Sequence, residues 1–423
     1  MLWQPQLPDA YLTLPKEALA QRIAAHRKAL GNDLIILGHH YQTDEVIQHA
    51  DFTGDSLKLS QLAASAVKER GARFVVFCGV HFMAETADLL APEGTAVILP
   101  DLSAGCSMAD MADYDDALSA WKALHDTLAQ EPHPARVIPI TYVNSTAAIK
   151  AFVGQHGGAV CTSSNAAAVL EWAFNGGDPP TPRPSRSKKT PSPPVKVLFL
   201  PDQHLGRNTA AKLGLDTATQ TCLYDPRLTR VGEPLGGATP DQVAAARVIL
   251  WAGHCSVHKL FRPEHVHALR TAEKDLPKAE RTRVIVHPEC AKEVVDLADD
   301  NGSTEYIIRT IDAAKPGSRW AIGTEVHLVT RLARRAAQRG VHARILSDCQ
   351  CLCTTMYRID QPHLLWTLDN LAEGRVVNRI TVHPKARALA LEALGRMLRL
   401  SDPPAGTAPS SPPSPASALA AMD

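Results

Sequence analysis

Five of the nine cysteines in this 423-residue chain stand where short apolar runs give way to glycine or polar residues. Cys106 sits in LPDLSAGCSMAD, Cys255 in ILWAGHCSVHKLF, and Cys349, Cys351 and Cys353 crowd SDCQCLCTTMYRID. Three thiolates from separated places suit a [4Fe–4S] cluster with one iron left open. Such an iron is a Lewis acid able to grip carboxylate or hydroxyl oxygens and promote loss of water. Zinc more often takes paired CxxC or histidine motifs, which the chain lacks. Spacing alone leaves other readings open. The five can be unrelated thiols, since a buried cysteine is commonly a small hydrophobe, and CxCxC also suits a local disulfide or a redox switch.

A second set of residues forms a donor inventory. His39, His40 and Tyr41 follow one apolar run, and Ser56 opens a helix in GDSL. Tyr142 with Asn144, Thr162 with Ser163, His287 with Glu289, and Ser303 with Thr304 follow others. These are neutral donors plus a few titratable groups, suited to small carboxylate or phosphate ligands, with His287, Glu289 and Tyr41 able to move protons. Each alone has a plainer explanation: Ser and Thr after strands are commonly helix N-caps, and a histidine there is commonly structural. Neither GxxxxGK[ST] nor GxGxxG occurs, so nucleotide binding has no motif behind it.

The elements that must position these groups are short β-rich runs alternating with amphipathic helical stretches, the pattern of α/β architecture with parallel sheets. Residues 34–37, 74–78 and 97–99 end in GHHYQ, GVHFMAET and PDLSAGCS. Residues 137–140, 159–161 and 197–200 end in TYVNST, TSSNA and PDQHLGRN, and residues 284–286, 320–322 and 343–346 in HPECAKE, GTEVH and SDCQCLC. Three rounds of strand, polar tip and helix predict three related α/β units. Ligands of open α/β sheets bind where strands end, so units that face one another would bring nine tips to one centre. The expected division is an N-terminal segment 1–30, then units at 31–125, 126–240 and 241–364, with 365–400 a candidate to pack on the first. Residues 176–196, rich in Pro, Ser and basic residues, predict a disordered insertion, and 401–423 a disordered tail.

Lys plus Arg equals Asp plus Glu, 44 each, so no net charge draws the chain to nucleic acid or anionic lipid. No apolar run approaches a membrane span and residues 1–15 do not read as a signal peptide, which predicts a cytoplasmic protein.

The tips taken together resemble the quinolinate synthases. The stretches that carry the likeness include HHYQTDEV, ADFTGDSLKLS, LPDLSAGCSMADM, ITYVNSTAAIKA, FLPDQHLGRNTA, WAGHCSVH, VHPECAKEVVDLAD, WAIGTEVHLVTRL and CLCTTMYRIDQPHLLWTLDNL. They keep the family's order over roughly residues 30–395. The resemblance implies three three-layer α/β/α domains with parallel sheets around a pseudo-threefold axis and an active site at the centre. It implies one [4Fe–4S] cluster on Cys106, Cys255 and Cys353, with Cys351 as runner-up for the last. It maps substrate contacts onto His39, Tyr41, Ser56, Tyr142, Asn144, Ser163, His287, Glu289, Ser303 and Thr304. His40 stands where many relatives have Asn or Phe, and Cys78, Cys161, Cys222 and Cys290 have no ligand role in the pattern. The implied reaction is a transferase condensation of iminoaspartate with dihydroxyacetone phosphate to quinolinate in NAD biosynthesis. Tyr41, His287 and Glu289 are the candidate catalytic groups, and the enzyme that makes iminoaspartate is a candidate partner. An aconitase-type hydro-lyase and a non-enzymatic iron–sulfur or thiol redox sensor are the alternatives.

Overall fold

Runs such as LIILGH and FVVFC are apolar throughout rather than alternating, as strands buried on both faces must be. The computed structural model describes residues 4–132, 134–178, 193–348 and 351–401, and in it these runs become the interior strands of three sheets. In chain order the strands are β1 (Leu34–His39), β2 (Phe52–Gly54), β3 (Phe74–Cys78), β4 (Ala96–Ile98), β5 (Arg136–Tyr142), β6 (Ala159–Cys161) and β7 (Val195–Leu200). They continue as β8 (Thr221–Tyr224), β9 (Val248–Trp251), β10 (Arg283–Val286), β11 (Asp300–Asn301), β12 (Arg319–Gly323), β13 (His342–Ile345) and β14 (Arg379–Ile380).

The sheets read β14-β4-β3-β1-β2, β6-β5-β7-β9-β8 and β11-β10-β12-β13. All pairings are parallel except that of β14 with β4. One plan recurs in all three. The first strand of a unit (β1, β5 or β10) has a short edge strand on one side (β2, β6 or β11). On its other side lie a third strand (β3, β7 or β12) and a fourth (β4, β9 or β13). The chain therefore reverses direction of travel across the sheet beside each first strand, which opens a crevice at that strand's carboxyl end. The fold class expected from the sequence, three α/β units with parallel sheets, is the fold observed.

Two expected boundaries fall elsewhere. β9 hydrogen-bonds β7 and β8, so the second sheet runs past residue 240 and includes the strand that leads to Cys255. The helix Tyr114–Leu128, assigned to the first unit, packs its Ala117, Ala120, Leu124 and Leu128 into the core of the second. At the carboxyl end, the helix Gln361–Ala372 packs in the first core, whereas Pro384–Ser401 packs on the helix Ala147–Gln155 of the second. Gly154 makes that approach possible, because a Cβ there would lie 1.9 Å from the Leu389 carbonyl oxygen. Of the residues expected in a disordered insertion at 176–196, Val195 and Lys196 begin β7, and Asp178 accepts hydrogen bonds from Trp172 and Arg396. Residues 179–192, the tail from 402 and Cys349 lie outside the described residues. Among those described, no helix is long and apolar enough to cross a membrane.

Candidate active site

Each fourth strand is followed by a cysteine: Cys106 after β4, Cys255 after β9 and Cys353 after β13. Three residues beyond each, a short 3-10 turn begins at Ala109, His258 or Met356. The N–H of that third residue points at the sulfur in every case. Each cysteine also sits where the chain leaves one unit for the next. Cys106 packs against the first and second cores, Cys255 against the second and third, and Cys353 against the third and first. Three seams thus carry three thiols in cyclic order. All three line one central cavity. The described cysteines outside this trio are buried, with Cys351 in the third core beside Ser347. Burial pushes the three thiols up, Cys106 to about 12, against the pull of the backbone N–H groups. A bound cation reverses that balance and favours thiolate.

The first strands supply the polar side of the cavity. β1 ends in His39 and Tyr41, β5 in Tyr142 and Asn144, and β10 leads into His287 and Glu289; all six line it. The two histidines are built alike. Nδ1 of His39 accepts the Tyr41 N–H at 3.1 Å, and Nδ1 of His287 accepts the Glu289 N–H at 3.3 Å. Burial holds both rings down at about 3, so they are neutral at pH 7. A neutral ring whose Nδ1 accepts must carry its proton on Nε2, which leaves each histidine one N–H to offer a ligand. Ser56, Ser163 and Thr304 come from the segments after the edge strands. Asn144 adds an amide whose Oδ1 is buried without a hydrogen-bond partner among the described residues. Buried polar atoms are ordinarily paired, so this one marks a place for a ligand donor. No Lys or Arg lines the cavity among the described residues.

The titratable groups divide cleanly. Burial works against charge on Glu289, but His258, His287 and hydrogen bonds from His258 and Tyr142 outweigh it and hold the carboxyl below its ordinary value. Tyr41 and Tyr142 are pushed well above the usual phenol range, first by burial and then by the Glu289 charge. The site therefore holds an ionised carboxylate, two neutral imidazoles and two protonated phenols at neutral pH.

Of the residues expected from the sequence, all but Ser303 line the cavity. Ser303 instead caps the helix Thr304–Asp312 by accepting the Tyr306 N–H, and faces a neighbouring polar pocket. His40 also lies off the cavity and bonds Glu305 at 2.9 Å. Several supporting residues were not singled out. Lys150 is fully buried and donates to the carbonyls of Val143 and Ser145, fixing the tip that carries Asn144. His258 Nδ1 lies 2.8 Å from Glu289 Oε2, and its Nε2 lies 3.2 Å from Thr324 Oγ1. Thr324 in turn meets the Tyr41 hydroxyl at 3.0 Å. Thr324 and His258 stand in the tips GTEVH and GHCSVH, so position after a strand was the signal available. Cys255, His258 and Glu289 bring their ligand atoms within 4.8 Å of one another, a group that could hold a metal ion.

Fold and site together define an α/β protein of three units with a central, enzyme-like pocket onto which three cysteines converge. A family model described as Quinolinate synthetase A protein matches residues 21–399. The chain is 51% identical over 392 residues to the quinolinate synthase of Acidobacterium capsulatum, covering 93% of this chain and 95% of that one. With the quinolinate synthase of Bacillus subtilis it is 47% identical over 395 residues, covering 93% and 96%. With that of Rhodopirellula baltica it is 48% identical over 398 residues, covering 92% of each. The chain belongs to the quinolinate synthetase A family.

Proposed function

We propose that this protein is a transferase that condenses iminoaspartate with dihydroxyacetone phosphate, releasing phosphate and water and closing the pyridine ring of quinolinate for NAD biosynthesis. Beside family membership, one observation carries the reading: tips from all three units line a single cavity rich in neutral donors and free of Lys and Arg among the described residues. Carboxylates and phosphate can be held there by Ser56, Asn144, Ser163 and Thr304 and by the Nε2–H groups of His39 and His287.

A [4Fe–4S] cluster fits the residues present. Cys106, Cys255 and Cys353 are part-exposed at three equivalent seams, each facing backbone N–H groups of the kind that steady a thiolate. Held by these three, the cluster would supply a Lewis-acidic iron that helps a hydroxyl leave. The proton work falls to the chain's own groups. Glu289, kept ionised, is the base for protons shed during imine formation and ring closure. Tyr41, kept protonated, sets a neutral hydroxyl against the substrate's carbonyl carbons, and Tyr142 donates toward Glu289. A cytosolic setting accords with thiols that must stay reduced to hold iron. The enzyme that produces iminoaspartate is a natural partner, since an imine released to water is open to hydrolysis.

The alternatives find no support. The relatives named above are all quinolinate synthases, and a redox sensor needs no pocket of converging donors. Anaerobic incubation of iron-loaded protein with dihydroxyacetone phosphate and freshly generated iminoaspartate is expected to yield quinolinate and equimolar phosphate. Loaded protein that releases no phosphate and forms no quinolinate would refute the reading.

A further inference from the structure

Cys106 stands between two cavities. One is the central cavity, and the other is an outer pocket in the seam between the first and second units. The two share Phe82, Cys106 and Thr355, so the floor of the outer pocket is part of the wall of the central one. Thr355 Oγ1 lies 3.6 Å from Cys353 Sγ, which puts a second seam cysteine just behind that wall. Outward, Ser107 and Asp110 are exposed, so the pocket opens to solvent.

The chemistry of the two cavities differs. The central one offers neutral donors suited to anions. The outer one is lined by the carboxylates of Glu85 and Asp110, the His81 imidazole and the hydroxyls of Ser103, Ser107 and Thr146. No Lys or Arg lines it among the described residues, although Arg358 reaches its rim with Nη1 3.1 Å from Ser103 Oγ. Carboxylate and imidazole accept a ferrous ion, and thiolate beyond them is the ligand that iron–sulfur clusters select.

The rim is held in place. Glu85 Oε2 accepts the Ala147 N–H across the seam at 2.9 Å and lies 3.9 Å from His81 Nδ1. The His81 backbone N–H donates to the Ala104 carbonyl, which ties the start of its helix to the turn that carries Cys106. Gly105 leaves room beside that turn. Its φ is not left-handed, and a Cβ there would meet only Asp110 Oδ2, at 3.8 Å.

We propose that this outer pocket is the port through which ferrous iron enters the cysteine seat, separate from the cavity that receives substrate. Glu85, Asp110 and His81 draw the cation in, and Cys106 is the first thiolate it meets. The inference rests on the iron–sulfur reading of the three cysteines and adds a route to it. Anions and cations then approach one centre from two sides of Cys106, each over a surface of matching chemistry.

The test follows uptake of ferrous ion by iron-free, reduced protein under anaerobic conditions, at iron low enough that entry sets the rate. Gly105→Leu, which puts a side chain into the port, should slow uptake about tenfold or more. Glu85→Gln combined with Asp110→Asn keeps an acceptor for the Ala147 N–H and removes the charge. Uptake by that double variant should be about tenfold slower at low salt and within about twofold of the parent at about 0.5 M salt. Given sulfide and time, each variant should reach the parent's iron content and absorption spectrum, which a damaged seat would not. Filling of Gly105→Leu within about twofold of the parent rate would overturn the port. Should Gly105→Leu end with low iron, the double variant decides, and a rate within about twofold of the parent at low salt overturns the proposal. A parent that never approaches about four irons per chain refutes the cluster reading itself, whereas full loading at unchanged rates in every variant refutes only the port.

Discussion

The tips of the fourth strands and the tips of the first strands descend from the same threefold plan and have come to opposite ends of it. After β4, β9 and β13 the three units do the same thing: a cysteine at a seam, a short turn three residues on, a backbone N–H aimed at sulfur. After β1, β5 and β10 they do three different things. The first presents an imidazole and a phenol, the second a phenol and an amide, the third an imidazole and a carboxylate. The proposed cluster, held evenly, would need equivalent ligands, and repetition supplies them. The two unlike substrates proposed would need unlike partners, and the side chains of the first-strand tips differ from unit to unit. His39 and His287 nevertheless share one feature, an Nδ1 that accepts the backbone N–H two residues on.

If the symmetric set holds the cluster, Cys106→Ala, Cys255→Ala and Cys353→Ala should each lose most of the iron and all measurable quinolinate formation. Cys351→Ala, whose sulfur lies in the third core, should keep both. Iron assay of the anaerobically purified variants checks this, and an inert Cys353→Ala with an iron-free Cys351→Ala would exchange the two assignments.

The asymmetric set should behave in the opposite way. Tyr41→Phe and Glu289→Gln are expected to lower kcat by about a hundredfold or more while the iron content stays at the parent value. Steady-state kinetics beside the absorption spectrum separates the two regions. Loss of iron in Glu289→Gln would place the carboxylate among the metal-holding groups instead.

Two members of the asymmetric set should also tie stability to pH. His39 and His287 fall to about 3 in the folded protein, whereas an unfolded histidine titrates near the ordinary value of about 6.5. Between those values the unfolded chain binds protons that the folded one refuses, so stability falls as pH drops from about 6.5 toward 3. Glu289, whose folded value is also depressed, adds to the loss at the acid end of that window. Urea unfolding at pH 7 and pH 5 should show the lower midpoint at pH 5, and His287→Asn should shrink the difference.

The smallest effect belongs to Ser303, which follows an edge strand but caps a helix rather than facing the cavity. Ser303→Ala should cost about 1 kcal/mol of stability, the usual worth of such a cap, and leave KM unchanged. A KM raised severalfold would return Ser303 to the substrate contacts.

Much of this was legible because buried parallel strands announce themselves as unbroken apolar runs and their tips as abrupt polar clusters. Twelve residues named from those tips, with Cys353 chosen among its neighbours only by the family resemblance, line the cavity. What the sequence hid was which strands belong together. β9 resembles the start of a third unit because a long polar stretch precedes it, and only its pairing with β7 and β8 shows that Cys255 leaves the second unit. Lys150, His258 and Thr324 were missed for a different reason. A lysine in a helix, a histidine beside a cysteine and a threonine after glycine carry no local mark of burial. Their roles come from partners that lie as far as 283 residues away, as with Thr324 and Tyr41.

The central claim is that three equivalent seams hold one cluster beside one asymmetric pocket, and the iron and acid-labile sulfide content of anaerobically purified protein tests it most directly. Near four irons and four sulfides per chain, with a broad absorption band at about 400 nm, is the predicted result. Colourless protein, or protein carrying zinc in place of iron under the same handling, would contradict it.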